Sequence, residues 1–447
     1  MKFRFQNPLT NLYNQNNIQD PALRKDLNLF IVAVTIGTVF FAISTGTPFT
    51  GFAKALGLDD FMYSVLLAVP VALSLLQFIN SWLLERLRNR RKLFIIAGLI
   101  QRTLWLPVAL VPLFIPADHP SLRMWMVVGL ISLSSAAASF MNVTFYSWLG
   151  DILPLKIQGH YMGLRSSIAT VLGLASALTA SYILDRNPTL NGYMWVFAVG
   201  SLFGIGDIVT FFWVREPQMQ VEPHNESHWK LIVQTFRDRS FLGYLVFWTA
   251  WIFCWNLSGP FFNMYALGKL NLSMTVTTLV GQIASSIMTA YFIQWWGRHL
   301  DSHGVRWVLL RCGMAASAMP LFWLFAGPGN FWPYLLFALG NGIFVCGVDV
   351  TAAQMLMTAT PTRNRSVYLA TYMVVTQVVG ASLGNLAGGK LLNLMGELQF
   401  RFAGFDFDRY KLLFIGVGLL RFLIILFLLP LLTNVQGGAA EPIKQKE

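Results

Sequence analysis

REPQMQVEPHNESHWKLIVQTFRDRS, residues 215–240, is the one long polar break inside an otherwise apolar chain. Six apolar runs precede it, near 28–50, 61–84, 92–115, 122–149, 160–184 and 192–214. Six more follow, near 241–265, 275–297, 307–327, 331–357, 366–392 and 410–433. About 20 mostly apolar residues cross a bilayer as a helix, which satisfies its own backbone polar groups. The runs are too long and too uniform to be barrel strands, whose residues alternate. The break therefore predicts an all-α membrane protein of twelve transmembrane helices in two bundles of six. The division reads as an N-tail over 1–27, a bundle over 28–214, a linker over 215–240, a bundle over 241–433 and a C-tail over 434–447.

Composition agrees. The chain has 447 residues, of which 55% are hydrophobic and only 12% charged. A soluble domain is about 25% charged, so a single soluble domain, a disordered chain and a collagen-like chain are all excluded. The net charge of +12 would suggest nucleic acid in a soluble protein. Here it marks topology instead, and no nucleic-acid partner is expected. With both termini in the cytoplasm, 21 of the 32 Lys and Arg fall on cytoplasmic tails and loops, as the positive-inside rule requires. The expectation is an integral protein of the cell (inner) membrane with both ends inside. The first 27 residues are polar and do not read as a cleavable signal.

The two halves repeat one another. DILPLKIQGHYMGLRSSIATVLG (151–173) aligns with TATPTRNRSVYLATYMVVTQVVG (358–380) at a constant offset, matching Pro154 with Pro361, Tyr161 with Tyr368 and Gly173 with Gly380. Pro48-Phe49 matches Pro260-Phe261. LLERLRNRRKL (83–93) matches HLDSHGVRWVL (299–309), so Glu85 faces Asp301 and Arg90 faces Arg306. Parallel repeats of this kind place a binding site near the midplane, between the halves.

On these residues the chain resembles the major facilitator superfamily over essentially its whole length. The signature between the second and third helices of that family is roughly G-x-x-x-D-R-x-G-R-[RK]. The second copy here keeps Gly297, Asp301, Gly304 and Arg306, whereas the first has Glu85 for the acid and neither glycine. Asp151, Pro154, Gly159, Gly163 and Arg165 follow a D-x-x-P…G-x-x-x-G-x-R pattern. The resemblance implies that the first, fourth, seventh and tenth helices line a central cavity, and that the third, sixth, ninth and twelfth support it.

Asp349, inside the tenth run, is the most informative residue. A carboxylate in hydrocarbon is costly and usually faces a partner or a wet cavity. It reads as a substrate ligand or proton carrier, or else as a structural acid between helices. Its repeat partner is Asn142. Trp248, Trp251 and Trp255 share one helical face, with Asn256 beside them; they form either a wall that stacks a solute or core packing. Phe41 and Thr45 share a face ahead of Pro48, and Pro48 and Pro260 are expected to bend their helices. Arg102 and Arg421 read as structural, with Asp207 a partner for Arg102. Glu85, Arg90, Asp301, Arg306 and Arg165 form the candidate cytoplasmic latch. Gly380, Gly384, Gly388 and Gly389 read as a close-packing stripe between the halves.

Three cysteines in apolar runs give no disulfide framework and no metal spacing, and there is no phosphate-binding loop. Neither cofactor nor enzymatic activity is expected. The reading is a secondary active transporter, monomeric, working by rocker-switch alternating access. Protons are the candidate coupling ion, and symport and antiport remain open. With no Lys or Arg deep in the first, fourth, seventh or tenth runs, the solute is expected to be uncharged or amphiphilic: a sugar, glycoside, drug or lipid-like molecule. The alternative is a non-transporting membrane receptor or assembly factor.

Overall fold

The structure, a computed structural model, describes residues 12–13, 16, 18–87, 89–116, 118–217, 228–361, 365–402, 404–430 and 432. The C-tail, most of the N-tail, residues 218–227 of the linker, and Arg88 and Arg363 lie outside the described residues, as do the side chains of Glu85, Lys230 and Arg365.

Among the described residues, eleven helices are long and apolar enough to cross a membrane. In order they are the first, Pro21–Ala55; third, Arg90–Phe114; fourth, Pro120–Ile152; fifth, Leu155–Arg186; sixth, Leu190–Trp213; seventh, Arg239–Gly268; eighth, Met274–His303; ninth, Val305–Phe325; tenth, Trp332–Ala359; eleventh, Val367–Met395; and twelfth, Arg409–Leu428. The second is helical over its expected extent, with a local 3₁₀ turn inside it. Its apolar part, Asp60–Leu75, is short and ends in a 3₁₀ turn over Leu73–Leu75, and a second piece runs over Leu76–Leu87. Pro70 lies inside the first piece, where it offers no N–H to the carbonyl of Leu66.

Proline acts differently in the two halves. The first helix breaks at Thr45, where Gly46 takes a φ of 65°, just before the turn that the ring of Pro48 would crowd. Pro260 instead lies within an unbroken seventh helix. Between the eleventh and twelfth helices, strands β1 (Gln399–Phe402) and β2 (Phe405–Asp408) pair as a short antiparallel hairpin.

The chain forms two compact units. One comprises Met1–Leu58 and Leu73–Glu222; the other comprises Asp59–Ala72 and Pro223–Glu447. The first unit is centred on Phe30, Phe94, Phe145, Trp148 and Phe211, whose rings meet mostly edge to face, as at 5.2 Å between Phe30 and Phe211. Such pairs add about 0.5–1.5 kcal/mol beyond the area they bury.

The second unit takes residues 59–72 as its own. Tyr410 donates to Asp60 Oδ1 at 2.7 Å, and Arg409 approaches Asp60 Oδ2 at 2.7 Å. Ser382 donates to the Ala68 carbonyl at 3.0 Å, and Asn393 to Asp59 at 3.0 Å. The glycine stripe explains how close this packing is. A Cβ on Gly380, Gly384 or Gly388 would strike the seventh helix, and one on Gly389 would strike Ser64 and Asp60. The stripe thus packs inside one unit, on the seventh helix at Gly380, Gly384 and Gly388, and at Gly389 on residues 59–72, which the first half of the sequence supplies. Missing side chains let backbones approach, as at the Leu257 carbonyl for Gly388 and the Asp60 carbonyl for Gly389.

Candidate functional site

In the first unit a cavity of about 260 Å³ opens among the first, third, fourth, fifth and sixth helices. Phe41 and Thr38 reach it from the first helix, Asn142 and Phe145 from the fourth, and Arg165 from the fifth. Behind them Arg102 and Asp207 complete the wall from the third and sixth helices.

Arg102 Nη2 donates to Asp207 Oδ2 at 2.9 Å, and both side chains are buried. The guanidinium also lies 4.1 Å from the Phe40 ring centre and 4.5 Å from that of Phe41. A Cβ on Gly37 would collide with the Asp207 carboxylate, so only glycine lets the first helix pass there. Each ion lowers the other's burial cost. Satisfaction is incomplete: Asp207 Oδ1 and Arg102 Nε and Nη1 are buried without a hydrogen-bond partner among the described residues.

Arg165 is different. Its guanidinium lies 4.8 Å from the Phe145 ring centre. Its Nε is buried without an acceptor, and no carboxylate pairs with it among the described residues. The sequence assigned Arg165 to a latch, but the structure places it in a pocket with Asn142 and Phe41. Thr45 is exposed at the break in the first helix and donates to the Phe41 carbonyl at 2.7 Å.

The other expected solute residues lie in the second unit. Asp349 is exposed on the tenth helix, with no hydrogen bond or ion pair among the described residues. Trp251 is buried, while Trp255 and Asn256 are half-buried, and the Asn256 amide is turned to its own helix at Ile252. Arg421 lies under this wall, fully buried, 4.7 Å from the Trp255 ring centre and 5.7 Å from that of Trp251. Its Nε and Nη2 have no acceptor, and no carboxylate pairs with it among the described residues.

The latch residues separate into paired and unpaired groups. Arg90 is buried, 2.6 Å from Asp151, and donates to the Ser147 carbonyl at 3.1 Å. Glu216 accepts from the backbone N–H of Arg90 at 2.5 Å and of Arg91 at 3.3 Å, which caps the third helix at its electropositive end. Sequence reasoning missed both acids in these roles. The D-x-x-P motif held Asp151, but nothing local joined it to a residue 61 positions away. Nearby, Arg215 pairs with Asp26 at 2.7 Å. The Ala22 amide holds the Asp20 carboxyl below its ordinary range, and Arg215 adds to the effect. Asp301 and Arg306 are exposed and unpaired among the described residues. Gly304 lies between them with a φ of 79°, a conformation that favours glycine.

Comparison with known proteins agrees with this architecture. The nucleoside transporter NupG, in a mutant form, superposes with a TM-score of 0.70 at 10% identity, covering 91% of this chain and 99% of the other. A D-xylose–proton symporter gives 0.67 at 12% identity, over 92% and 99%. A bacterial homologue of the human lysosomal transporter Spinster, inward-facing and unoccupied, gives 0.66 at 13% identity, over 93% and 97%. At such identities the likeness is one of fold. No curated protein sequence matches this chain. The family model described as Major Facilitator Superfamily matches residues 29–300. That match covers more than half of the chain, and this integral membrane protein belongs to the major facilitator superfamily.

Proposed function

We propose that the protein is a secondary active transporter of the cell (inner) membrane, carrying a small solute by rocker-switch alternating access. Both termini lie in the cytoplasm, and the protein acts as a monomer. The observation that carries this reading is the convergence of Asn142, Phe41 and Arg165 on one cavity in front of a buried ion pair. Polar groups inside membrane spans are costly and are kept where they serve a pathway or site. The pocket is the N-terminal half of the solute site. Trp251, Trp255, Asn256 and Asp349 are the C-terminal contribution, and Asp349 is the candidate proton carrier. Arg90, Asp301, Arg306 and Glu85 are the latch that favours one state.

The test is flux into proteoliposomes from a library of labelled small solutes. Uptake of at least one solute above empty liposomes, lowered about tenfold by Asn142→Ala, supports the reading. Saturable binding with no flux of any bound solute would favour a receptor.

A further inference from the structure

The first, fourth, seventh and tenth runs carry no Arg or Lys away from their ends, which favours an uncharged solute. The pocket of the first unit receives its cations from elsewhere: Arg102 from the third helix and Arg165 from the fifth. Their charges are not equivalent. Asp207 offsets Arg102 at 2.9 Å. No carboxylate pairs with Arg165 among the described residues, and its nearest compensation is the Phe145 ring. The pocket therefore carries one uncompensated positive charge, held on a planar donor.

We propose that this pocket is an oxyanion site, and that the solute is a small organic acid bearing one carboxylate. Arg165 presents the planar fork of donors that matches a carboxylate in bidentate fashion. Asn142 offers an amide at the same cavity, and Phe41 and Phe145 offer aromatic surface to the rest of the molecule. The volume, about 260 Å³, is enough for a carboxylate and the group that carries it. The inference rests on reading the pocket as the half-site, and it names the solute class.

Charge-selective labelling tests the proposal without knowledge of the solute. Tyr146 lines the cavity and is 59% exposed. The native cysteines Cys254, Cys312 and Cys346 are all buried, which keeps the background low. In Tyr146→Cys protein, labelling by an anionic thiosulfonate (MTSES) is compared with a cationic one (MTSET), each normalised to a free thiol. The expected ratio favours the anion several-fold. Arg165→Gln should abolish that preference, and Arg165→Lys should keep most of it. A ratio favouring the cation, or one untouched by Arg165→Gln, would overturn the proposal. Arg165 packs on the Phe145 ring without an acidic partner among the described residues, and Arg165→Lys, which keeps the charge, separates loss of charge from loss of packing.

Millimolar benzoate in lipid-free detergent should slow the anionic labelling, while benzamide should not. Protection only by added phosphatidylglycerol would assign the site to a lipid headgroup and reject the free acid. Equal protection by benzoate and benzamide, or no protection by either anion, would also reject it. Since labelling needs no flux, a positive pocket in a protein that moves nothing would reject the transport reading alone.

Discussion

Arg102 of the third helix donates to Asp207 of the sixth at 2.9 Å, beneath Phe40 and Phe41 of the first. Three helices far apart in sequence are joined at one buried charge pair. Breaking such a pair is worse than never having it, because the survivor is left charged and unpaired.

Asp207→Asn should therefore destabilise the protein by about 3–5 kcal/mol. The double variant Asp207→Leu with Arg102→Met should recover much of that loss. Thermal unfolding of the detergent-purified protein checks both, and a double variant as unstable as the single one would contradict the account.

Asp60 holds residues 59–72 to the second unit through Tyr410 and Arg409. Tyr410→Phe removes one hydrogen bond and should cost about 1–3 kcal/mol, since the acceptor is a buried carboxylate. Arg409→Gln should cost less, because that arginine is 26% exposed and partly hydrated. Midpoints of thermal unfolding for the two variants give the order.

Arg421 is fully buried against the rings of Trp255 and Trp251, with no carboxylate paired to it among the described residues. Replacing an uncompensated buried ion by an apolar group of similar length is often neutral or stabilising. Arg421→Met is thus expected within about 1 kcal/mol of wild type, or above it. A loss of several kcal/mol in the same unfolding assay would reveal a counterion.

Asp349 is exposed and unpaired among the described residues, so Asp349→Asn should change stability by no more than about 0.5 kcal/mol. Its expected effect is on coupling: solute accumulation driven by an imposed pH gradient should fall to the level of downhill flux. Accumulation that persists in the variant would remove Asp349 from the proton path.

The number, order and rough extent of the membrane helices were determined by the sequence itself, because spanning a bilayer is a local demand. Each run must be long enough and apolar enough regardless of its neighbours. The polar break at 215–240 and the repeat of Pro154 at Pro361 are likewise local signals, and the family followed from them. Even the Arg102–Asp207 pair was legible, since two opposite charges in hydrocarbon invite one another. The tertiary structure alone decided which residues share a site. Arg165 read as a latch because it follows a loop motif, yet the fifth helix turns it into a cavity with Asn142 and Phe41. Glu216 and Asp151 gained their partners, and residues 59–72 their unit, only when distant helices packed. The glycine stripe showed that backbones come close but not whose. Side-chain direction on a helix follows from sequence; the identity of the neighbour depends on how the helices pack, which no single segment encodes.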